Sequence, residues 1–558
     1  MIDEIINEIS KTENCRILSL DEIRKISHLK KNKNVIEINT DLSSESGYIS
    51  VVLYLTLENA ELPKLYVNED SYELIKFIPH VNQDFSICIV EDESISFHES
   101  NLPRIATYFI HKAKEILSIK NVDKVSEFED EFKAYWEIQY NGEKAIYEAG
   151  MVLITNDAPI KCVRFTYNFN FFTFLLYTDS EESSRLFNFF DVRKIKYYEI
   201  EAIEATYDKA VPPFDLSFTE SIKLLSAEQI NILRKKINKE GLDSVILFFR
   251  NNKNECYGWW YEEFIPKINP KIVKGHTYSN WEKINLPLYK NSKVRRISFS
   301  NIGKKRLDVR TAGQLIDDDK KVCIIGLGSI GSQLLHLLTK ISFNQYKLVD
   351  HDLLKVENIA RHQYGFSEIN KFKVDIAERN ILEKNPFVKV LTYNKSIVNL
   401  LNENTSFFEN DDFIFIVLGI TRYEIFILDY LIKNGINKPV IIIWVEAYLS
   451  GGQMIFSHPN DFSKAKQLVS NFQYRVLDEE VYLKEGSCQG TYMPYSMEHI
   501  NLYLSSIFVE IYKIISRQQN YSTIFTWFGD LDFVKAKNLK LTTFAQNKES
   551  FSLHKTNI

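Results

Sequence analysis

The chain has 558 residues, of which 45% are hydrophobic and 25% are charged, and its formal net charge is −6. This composition is that of an ordinary folded protein with room for roughly two to four domains. The negative balance and the lack of a basic block argue against nucleic acid as a partner. No apolar run is long enough to span a bilayer, and the acidic start MIDEIINEISK is unlike a signal peptide, so we predict a cytoplasmic protein without a membrane partner.

Residues 1–140 have the pattern of a separate α+β domain. An apolar periodicity predicts a helix from Met1 to about Lys11, and alternation predicts strands at Val35–Asn39 and Gly47–Leu57. Two further helices are predicted at Leu102–Ser118 and Val125–Trp136. The strands and the later helices are separated by a loop that begins with Pro and His and carries one cysteine.

That loop contains Pro79-His80, followed by Asn82 and Asp84, and then Cys88 on a short extended segment. A thioester carrier needs an exposed thiol close to polar groups that can stabilise the oxyanion formed when an amine attacks. The order of elements resembles the prokaryotic members of the ubiquitin-conjugating family, and this resemblance implies that Cys88 carries a thioester. The alternative is a half-buried cysteine at the end of a strand.

Residues 141–305 carry fewer signals. Aromatic residues and apolar runs predict strands through Met151–Phe190, a helix at Ser226–Lys239 and a further strand at Ser244–Phe249. We interpret Trp259 and Trp260 as residues that fill a core, because a domain of this size needs large side chains inside. The region is predicted to be an α/β linker domain.

Residues 306–558 begin with the signature of a nucleotide-binding βαβ unit. The apolar strand Val322–Ile325 enters a turn with Gly326, Gly328 and Gly331, and an amphipathic helix follows. Glycines let the backbone approach a phosphate, which then lies at the N-terminus of the helix. The next strand ends on Asp350, where such folds place the acid that binds a ribose.

Three polar side chains follow this acid: Asn358, Arg361 and Lys373. A hydride-transfer site has no need of such a cluster, whereas phosphoryl chemistry needs fixed donors to meet negative charge on the α-phosphate. The combination resembles the ubiquitin-activating and ThiF/MoeB-type adenylyltransferases. The resemblance implies a Rossmann-like fold, ATP with Mg²⁺ as cofactor, ribose binding by Asp350, and triphosphate contacts by Asn358, Arg361 and Lys373.

One member of the family motif is missing. The aspartate that binds magnesium is expected just after the strand Phe413–Leu418, where this chain has Gly419-Ile420-Thr421-Arg422. The metal ligands are therefore left open. Two further strands are predicted at Val388–Tyr393 and Val440–Val445, and Glu446 with the segment Gly451–Gln453 fits the part of the family's sheet edge that covers the substrate tail.

Cys488 lies in the small-residue loop Gly486–Gly490, ahead of a helix predicted at Glu498–Ile515. A helix N-terminus favours the thiolate, and the position matches the nucleophile of the activating enzymes. The alternative is a glycine-rich loop that tolerates any small residue. None of the six cysteines forms a Cys-x-x-Cys pair, which removes the usual structural zinc site, and we interpret the other four as small hydrophobic residues: Cys15, Cys162, Cys256 and Cys323.

The three regions together resemble the bacterial ubiquitin-conjugating/ubiquitin-activating fusion enzymes of CBASS antiphage operons. That resemblance implies a homodimer which adenylates the C-terminus of the operon's nucleotide cyclase, carries it through thioesters on Cys488 and Cys88, and joins it to an amine on a target protein. Two alternatives stay open. The chain could serve another prokaryotic ubiquitin-like modifier, or it could be a non-catalytic Rossmann scaffold.

Overall fold

A computed structural model gives the structure of the chain. It describes residues 2–44, 47–58, 61–75, 78–82, 84–89, 101–118, 121–137, 148–167, 171–207, 218–238, 245–251, 253–261, 279–284, 295–312, 319–341, 343–484, 491–516 and 519–558. Contacts divide the chain into two compact units. Unit 1 comprises residues 1–154, 159–177 and 197–301, and unit 2 comprises residues 155–158, 178–196 and 302–558. The predicted domain boundaries near 140 and 305 stay predictions.

Unit 1 begins with a four-stranded antiparallel sheet in the order β1-β2-β3-β4. Its strands are β1 (Asn14–Ile17), β2 (Val35–Ser44), β3 (Gly47–Thr56) and β4 (Lys64–Val67). The accompanying helices are Ile2–Ile9, Leu20–Ile23, Glu69–Leu74 and Leu102–Leu117. Ile5 and Ile9 from the first helix and Phe109 from the last share a buried cluster with Ile38 and Leu53 of the sheet. The predicted hairpin and both of these helices are confirmed.

The rest of unit 1 is a closed barrel in the order β10-β11-β5-β7-β6-β8-β9. Its strands are β5 (Glu148–Leu153), β6 (Lys161–Tyr167), β7 (Phe171–Tyr177), β8 (Tyr197–Glu204), β9 (Val245–Arg250), β10 (Cys256–Tyr261) and β11 (Arg295–Asn301). Helices in this part are Asn121–Asp130, Phe132–Glu137, Phe218–Ile222, Ala227–Asn238 and Asn280–Ile284. Trp259 and Trp260 are fully buried, which confirms that they fill a core.

One segment of the middle region differs from its prediction. Residues predicted to be strand include the helix Glu181–Val192, which belongs to unit 2. Ser180 caps its N-terminus by accepting a hydrogen bond from Ser183 N–H, and acidic residues occupy the first turn, so capping outweighs the aromatic content that favoured a strand. Arg185 of this helix donates hydrogen bonds to Asn344 Oδ1 and Phe387 O, each at 2.7 Å.

Unit 2 is built on an eight-stranded sheet in the order β14-β13-β12-β15-β16-β17-β20-β21. Its strands are β12 (Lys321–Ile325), β13 (Gln345–Val349), β14 (Lys389–Tyr393), β15 (Phe413–Ile416), β16 (Val440–Val445), β17 (Gly451–Ser457), β20 (Thr523–Phe528) and β21 (Leu553–Asn557). The first five in spatial order are parallel and the last three antiparallel. Strands β18 (Leu483–Lys484) and β19 (Thr491–Tyr492) form a separate ribbon.

Helices cover this sheet and connect its strands. They are Lys304–Ala312, Ser329–Leu338, Lys373–Lys384, Ile397–Glu403, Thr421–Lys433, Phe462–Asn471, Met497–Ile515 and Leu531–Ala536, with 3₁₀ turns at Val356–Arg361, Phe366–Glu368, Ala447–Leu449 and Pro459–Asp461. The predicted Rossmann-like α/β fold of this region is confirmed. None of the helices in the described residues is both long and apolar enough to cross a membrane.

The strand order fixes where a ligand can bind in unit 2. From β12 the chain runs outward to β13 and β14 and then returns to the other side of β12 as β15. In open parallel sheets the crevice for a ligand lies at the carboxyl ends of the strands that flank such a reversal. The glycine turn after β12 and the segment after β15 therefore face the same crevice.

Candidate functional site

The glycine turn after β12 is shaped by close backbone packing. Gly326 has φ +95°, and a Cβ there would lie 2.5 Å from Val417 O. A Cβ on Gly331 would lie 2.0 Å from Gly326 O, so the start of the helix Ser329–Leu338 packs directly on the turn. Gly328 differs, because a Cβ there would meet no atom within 4 Å. Its open side faces a cavity, which is where an approaching phosphate would need space.

Asp350 follows β13 and is buried beside this turn. Its Oδ2 accepts a hydrogen bond from Leu327 N–H at 2.7 Å, and its Oδ1 accepts one from Asp352 N–H at 2.8 Å. The carboxylate thus holds the glycine turn against the end of β13. Each oxygen keeps a second lone pair, so the arrangement is compatible with ribose binding, which stays a prediction.

Asn358, Arg361 and Lys373 line one cavity of about 480 Å³ together with Gly328. Arg361 is half-buried, donates a hydrogen bond from Nη1 to Met493 O at 3.1 Å, and has its guanidinium over the ring of Tyr495 at 4.8 Å. The side chain of Lys373 is buried, and its Nζ donates to Asp352 Oδ2 at 2.9 Å. The structure therefore brings together the residues that the sequence predicted to contact the triphosphate.

Burial and neighbouring charges shift the pKa values of two side chains at this cavity. Partial burial opposes ionisation of Asp352, but the hydrogen bond and the charge of Lys373 outweigh it and lower the pKa of that carboxyl. Burial lowers the pKa of His362 to about 3, and the positive charges of Lys373 and Arg361 act in the same direction. His362 is therefore neutral at physiological pH, and the positive charges that line the cavity are those of Lys373, Arg361 and Arg475.

Glu446 and Glu424 also line this cavity. The sequence places Glu446 at the sheet edge that would cover the substrate tail, and it gives Glu424 no role. Glu446, directly after β16, is half-buried and accepts hydrogen bonds from the N–H groups of Val476 and Leu477, each at 2.8 Å. Burial nevertheless raises the pKa of the Glu446 carboxyl. Glu424 lies one turn into the helix Thr421–Lys433 and is 3% exposed. In the sequence Glu424 is one acid among many, and only its burial distinguishes it.

The aspartate expected after β15 is replaced by a turn. Gly419 adopts φ +60°, and the helix begins at Thr421. A group of three side chains with ligand atoms within 4.8 Å of one another, Asp350, His351 and Asp352, directly follows β13. Two of its members are already engaged, because Asp350 supports the glycine turn and Asp352 pairs with Lys373.

Cys488 falls outside the described residues, so its assignment as a nucleophile stays a prediction. Three of the four cysteines interpreted as small hydrophobic residues are fully buried: Cys162, Cys256 and Cys323. Burial raises the pKa of the Cys256 thiol to about 12, which makes it an unreactive thiol. Cys15 is half-buried beside Ser10.

Cys88 of unit 1 is exposed and lies in the loop that carries His80. Its N–H donates to His80 O at 2.7 Å, while Ile87 N–H donates to Leu65 O in β4, so the cysteine segment is anchored between the sheet and the Pro-His segment. Asn82 and Ser86 close a tight turn, with Asn82 N–H donating to Ser86 O at 2.8 Å. The exposed thiol rests on a well-supported backbone, as a group-transfer site requires.

Polar groups surround the thiol loop. His80 has φ +63°, and its two ring nitrogens lie 3.1 Å from Glu127 Oε2 and 3.2 Å from Glu131 Oε1. Asn82 Nδ2 donates to Ser86 Oγ at 2.9 Å. The side chains proposed from the sequence to stand near Cys88 are therefore present in one loop, although their roles stay predictions.

Two models of known protein families match this chain, one in its N-terminal part and one in its C-terminal part. Residues 19–144 match the model described as prokaryotic E2 family B, and residues 302–523 match that of the ThiF family. The chain therefore has an E2-like N-terminal domain and a ThiF-like, Rossmann-type C-terminal domain. The match to the E2 family includes the loop of Cys88, and the match to the ThiF family includes the glycine turn and the cavity.

Curated relatives match only part of this chain. Ubiquitin-like modifier-activating enzyme 5 of Caenorhabditis briggsae is 26% identical over 141 residues, which are 24% of this chain and 32% of the relative. The Drosophila persimilis enzyme of the same name is 31% identical over 84 residues, or 15% of this chain and 22% of the relative. The chain thus spans about a third or less of these relatives.

Solved structures of E. coli MccB also match this chain. The structure with ATP is 14% identical, with a TM-score of 0.29, and the match covers 43% of this chain and 64% of MccB. The structure with AMPCPP and the peptide MccA has the same identity and TM-score.

Proposed function

We propose that the chain is an ATP-dependent adenylyltransferase that activates a protein C-terminus and transfers it through thioesters to an amine. The observation that carries this proposal is the single cavity in the ThiF domain where Gly328, Asn358, Arg361 and Lys373 meet. Its donor set fits ATP: an open backbone surface at a helix N-terminus for phosphate, with two fixed positive charges beside it.

In the proposed adenylation, a carboxylate oxygen of the partner tail attacks the α-phosphorus of ATP, and pyrophosphate leaves. Negative charge then grows on the phosphate oxygens, and Arg361 and Lys373 are the groups that would stabilise it. Both are already held in place, Arg361 by Met493 O and Tyr495 and Lys373 by Asp352, so little reorganisation is needed. A bound Mg²⁺ would neutralise part of the triphosphate charge.

Two thiols would carry the activated tail. A thiolate attacks the acyl carbon of the adenylate, and AMP leaves; we propose that Cys488 takes the acyl group first and that Cys88 takes it from Cys488. The target's amine then attacks the thioester at Cys88, and the thiolate leaves. The exposure of Cys88 and the polar groups of its loop support the last step.

The proposed tail is the C-terminus of a CBASS nucleotide cyclase, and the enzyme is proposed to be a cytoplasmic homodimer. A second candidate is a small ubiquitin-like modifier. The relatives named ubiquitin-like modifier-activating enzyme 5 favour this second candidate, because their name gives a ubiquitin-like modifier as the protein they activate.

An ATP–pyrophosphate exchange assay tests adenylation. We expect the full-length chain to exchange label between pyrophosphate and ATP when the intact cyclase is added, and not when the cyclase lacks its last residues. Exchange with a β-grasp modifier instead would favour the second candidate. No exchange with either protein, together with no binding of ATP, would support the scaffold alternative.

A further inference from the structure

Glu424 occupies the place in the fold that the missing strand-end aspartate leaves. The turn at Gly419 carries the chain from β15 into the helix Thr421–Lys433, whose N-terminal end borders the cavity. Helical side chains point back toward the N-terminus of their helix. The carboxylate of Glu424 is accordingly directed toward the carboxyl end of β15 and the turn that contains Gly419 and Ile420.

This carboxylate is incompletely satisfied. Its Oε1 is buried and has no hydrogen-bond partner, although the residue lines the cavity. Burial raises the pKa of the Glu424 carboxyl to about 7, and the nearby backbone N–H groups of Gly419 and Ile420 offset only part of this rise. Among the described residues no cation forms an ion pair with it. Burying a carboxylate oxygen without a partner destabilises the folded state, and a bound cation would offset that cost.

The side chains that line the cavity indicate which cation would bind there. Magnesium is usually held by one or two protein carboxylates together with phosphate oxygens and waters. The same cavity holds Asn358, Arg361 and Lys373, the proposed triphosphate contacts. The carboxylates of Asp350 and Asp352 are engaged elsewhere, as described above. Of the carboxylates that line the cavity, Glu424 is the buried one with an unpartnered oxygen.

We propose that Glu424 binds the divalent cation that accompanies the nucleotide, in place of an aspartate at the end of β15. This proposal rests on the proposed function, since it needs a nucleotide in the cavity. The residue that binds the metal would then lie one turn inside the helix Thr421–Lys433, which follows β15, and not at the end of β15 itself.

Calorimetry with AMPCPP, an ATP analogue that cannot be cleaved between its α- and β-phosphates, tests the proposal on the full-length chain. Its affinity is measured in Mg²⁺ and in EDTA. We expect the wild type to bind at least about tenfold more tightly with Mg²⁺, and Glu424→Gln to lose most of this preference while keeping its affinity in EDTA. Glu480→Gln, which neutralises an exposed carboxylate on the same cavity, is the matched control and should keep the preference.

A second variant at the same position shows whether the result depends on the loss of the carboxylate or on new contacts made by the glutamine amide. Glu424→Ala should also lose the metal preference, and thermal unfolding of both variants reports whether the fold survives. If either folded variant keeps the wild-type preference, or if the wild type has none, the assignment of Glu424 is wrong while the nucleotide site stands. If the wild type binds no AMPCPP in either condition, the proposed function fails and this inference fails with it.

Discussion

Two glycines of the same turn should respond oppositely to alanine. At Gly331 a Cβ would lie 2.0 Å from the backbone oxygen of Gly326, whereas at Gly328 it would meet no atom within 4 Å. Gly331→Ala should therefore damage the empty fold, while Gly328→Ala should leave the empty fold intact and obstruct a phosphate. Each variant is the other's control.

The magnitude for Gly331→Ala follows from that contact. Backbone groups of one turn cannot avoid each other by rotating a side chain, so the helix start must move by about 1 Å, and overpacking of this kind costs about 1–3 kcal/mol. Because 2.0 Å is far inside van der Waals contact, the cost lies at the upper end of that range, about 2–3 kcal/mol. The better helix propensity of alanine returns about 1 kcal/mol at most. The net loss of about 1–2 kcal/mol should lower the Tm by about 2–8 °C in a unit of this size.

Differential scanning fluorimetry and ATP titration measure the pair. Gly328→Ala should keep its Tm within about 2 °C, because its steric surroundings are open, yet weaken ATP binding by about tenfold or more. The account of this turn would be refuted if Gly331→Ala kept the wild-type Tm. It would be refuted equally if Gly328→Ala bound ATP as tightly as the wild type.

Three further predictions concern the same unit. Arg361→Ala should lower tail-dependent pyrophosphate exchange by about 100-fold, or about 3 kcal/mol of transition-state stabilisation, and unchanged exchange would contradict its role. The pKa of His362 is about 3 in the folded state and about 6.5 in the unfolded state, so below pH 6.5 the unfolded state binds a proton that the folded state does not. The stability that is present above pH 6.5 is therefore lost as the pH falls, by about 2 kcal/mol at pH 5. His362→Gln should reduce the fall of the Tm between pH 6.5 and pH 5, and a variant with the same fall as the wild type would contradict the burial argument. Light scattering of the full-length chain at micromolar concentration should give the mass of a dimer, and a monomer would count against the homodimer.

The sequence predicted the ThiF half well because its signals are local. An apolar strand, a glycine turn and an amphipathic helix each follow from short-range patterns, and parallel strands with short connections then place Asn358, Arg361 and Lys373 at one edge. The closed barrel of unit 1 was not predicted. Its closure depends on strands distant in sequence, such as β5 with β11, where Gly150 is the register partner of Phe299.

Site residues that depend on burial escaped sequence reasoning for a different reason. Glu424 lies in a helix with several charged residues, and its spacing does not distinguish a solvated acid from a buried one. Only packing around the helix reveals the unpaired oxygen. The helix Glu181–Val192 was missed because the aromatic residues of this segment favour a strand, although Ser180 before it is a residue typical of a helix N-cap.

The most direct test of the central claim is a search for the thioester itself. The full-length chain is incubated with ATP and the cyclase, and the products are separated on a denaturing gel with and without reducing agent; the adduct's site is then located by mass spectrometry. We predict an ATP-dependent, thiol-labile adduct of chain and cyclase. Cys88→Ala should accumulate this adduct at Cys488 and form no final conjugate, and Cys488→Ala should form neither. Full conjugation by Cys88→Ala would contradict the account.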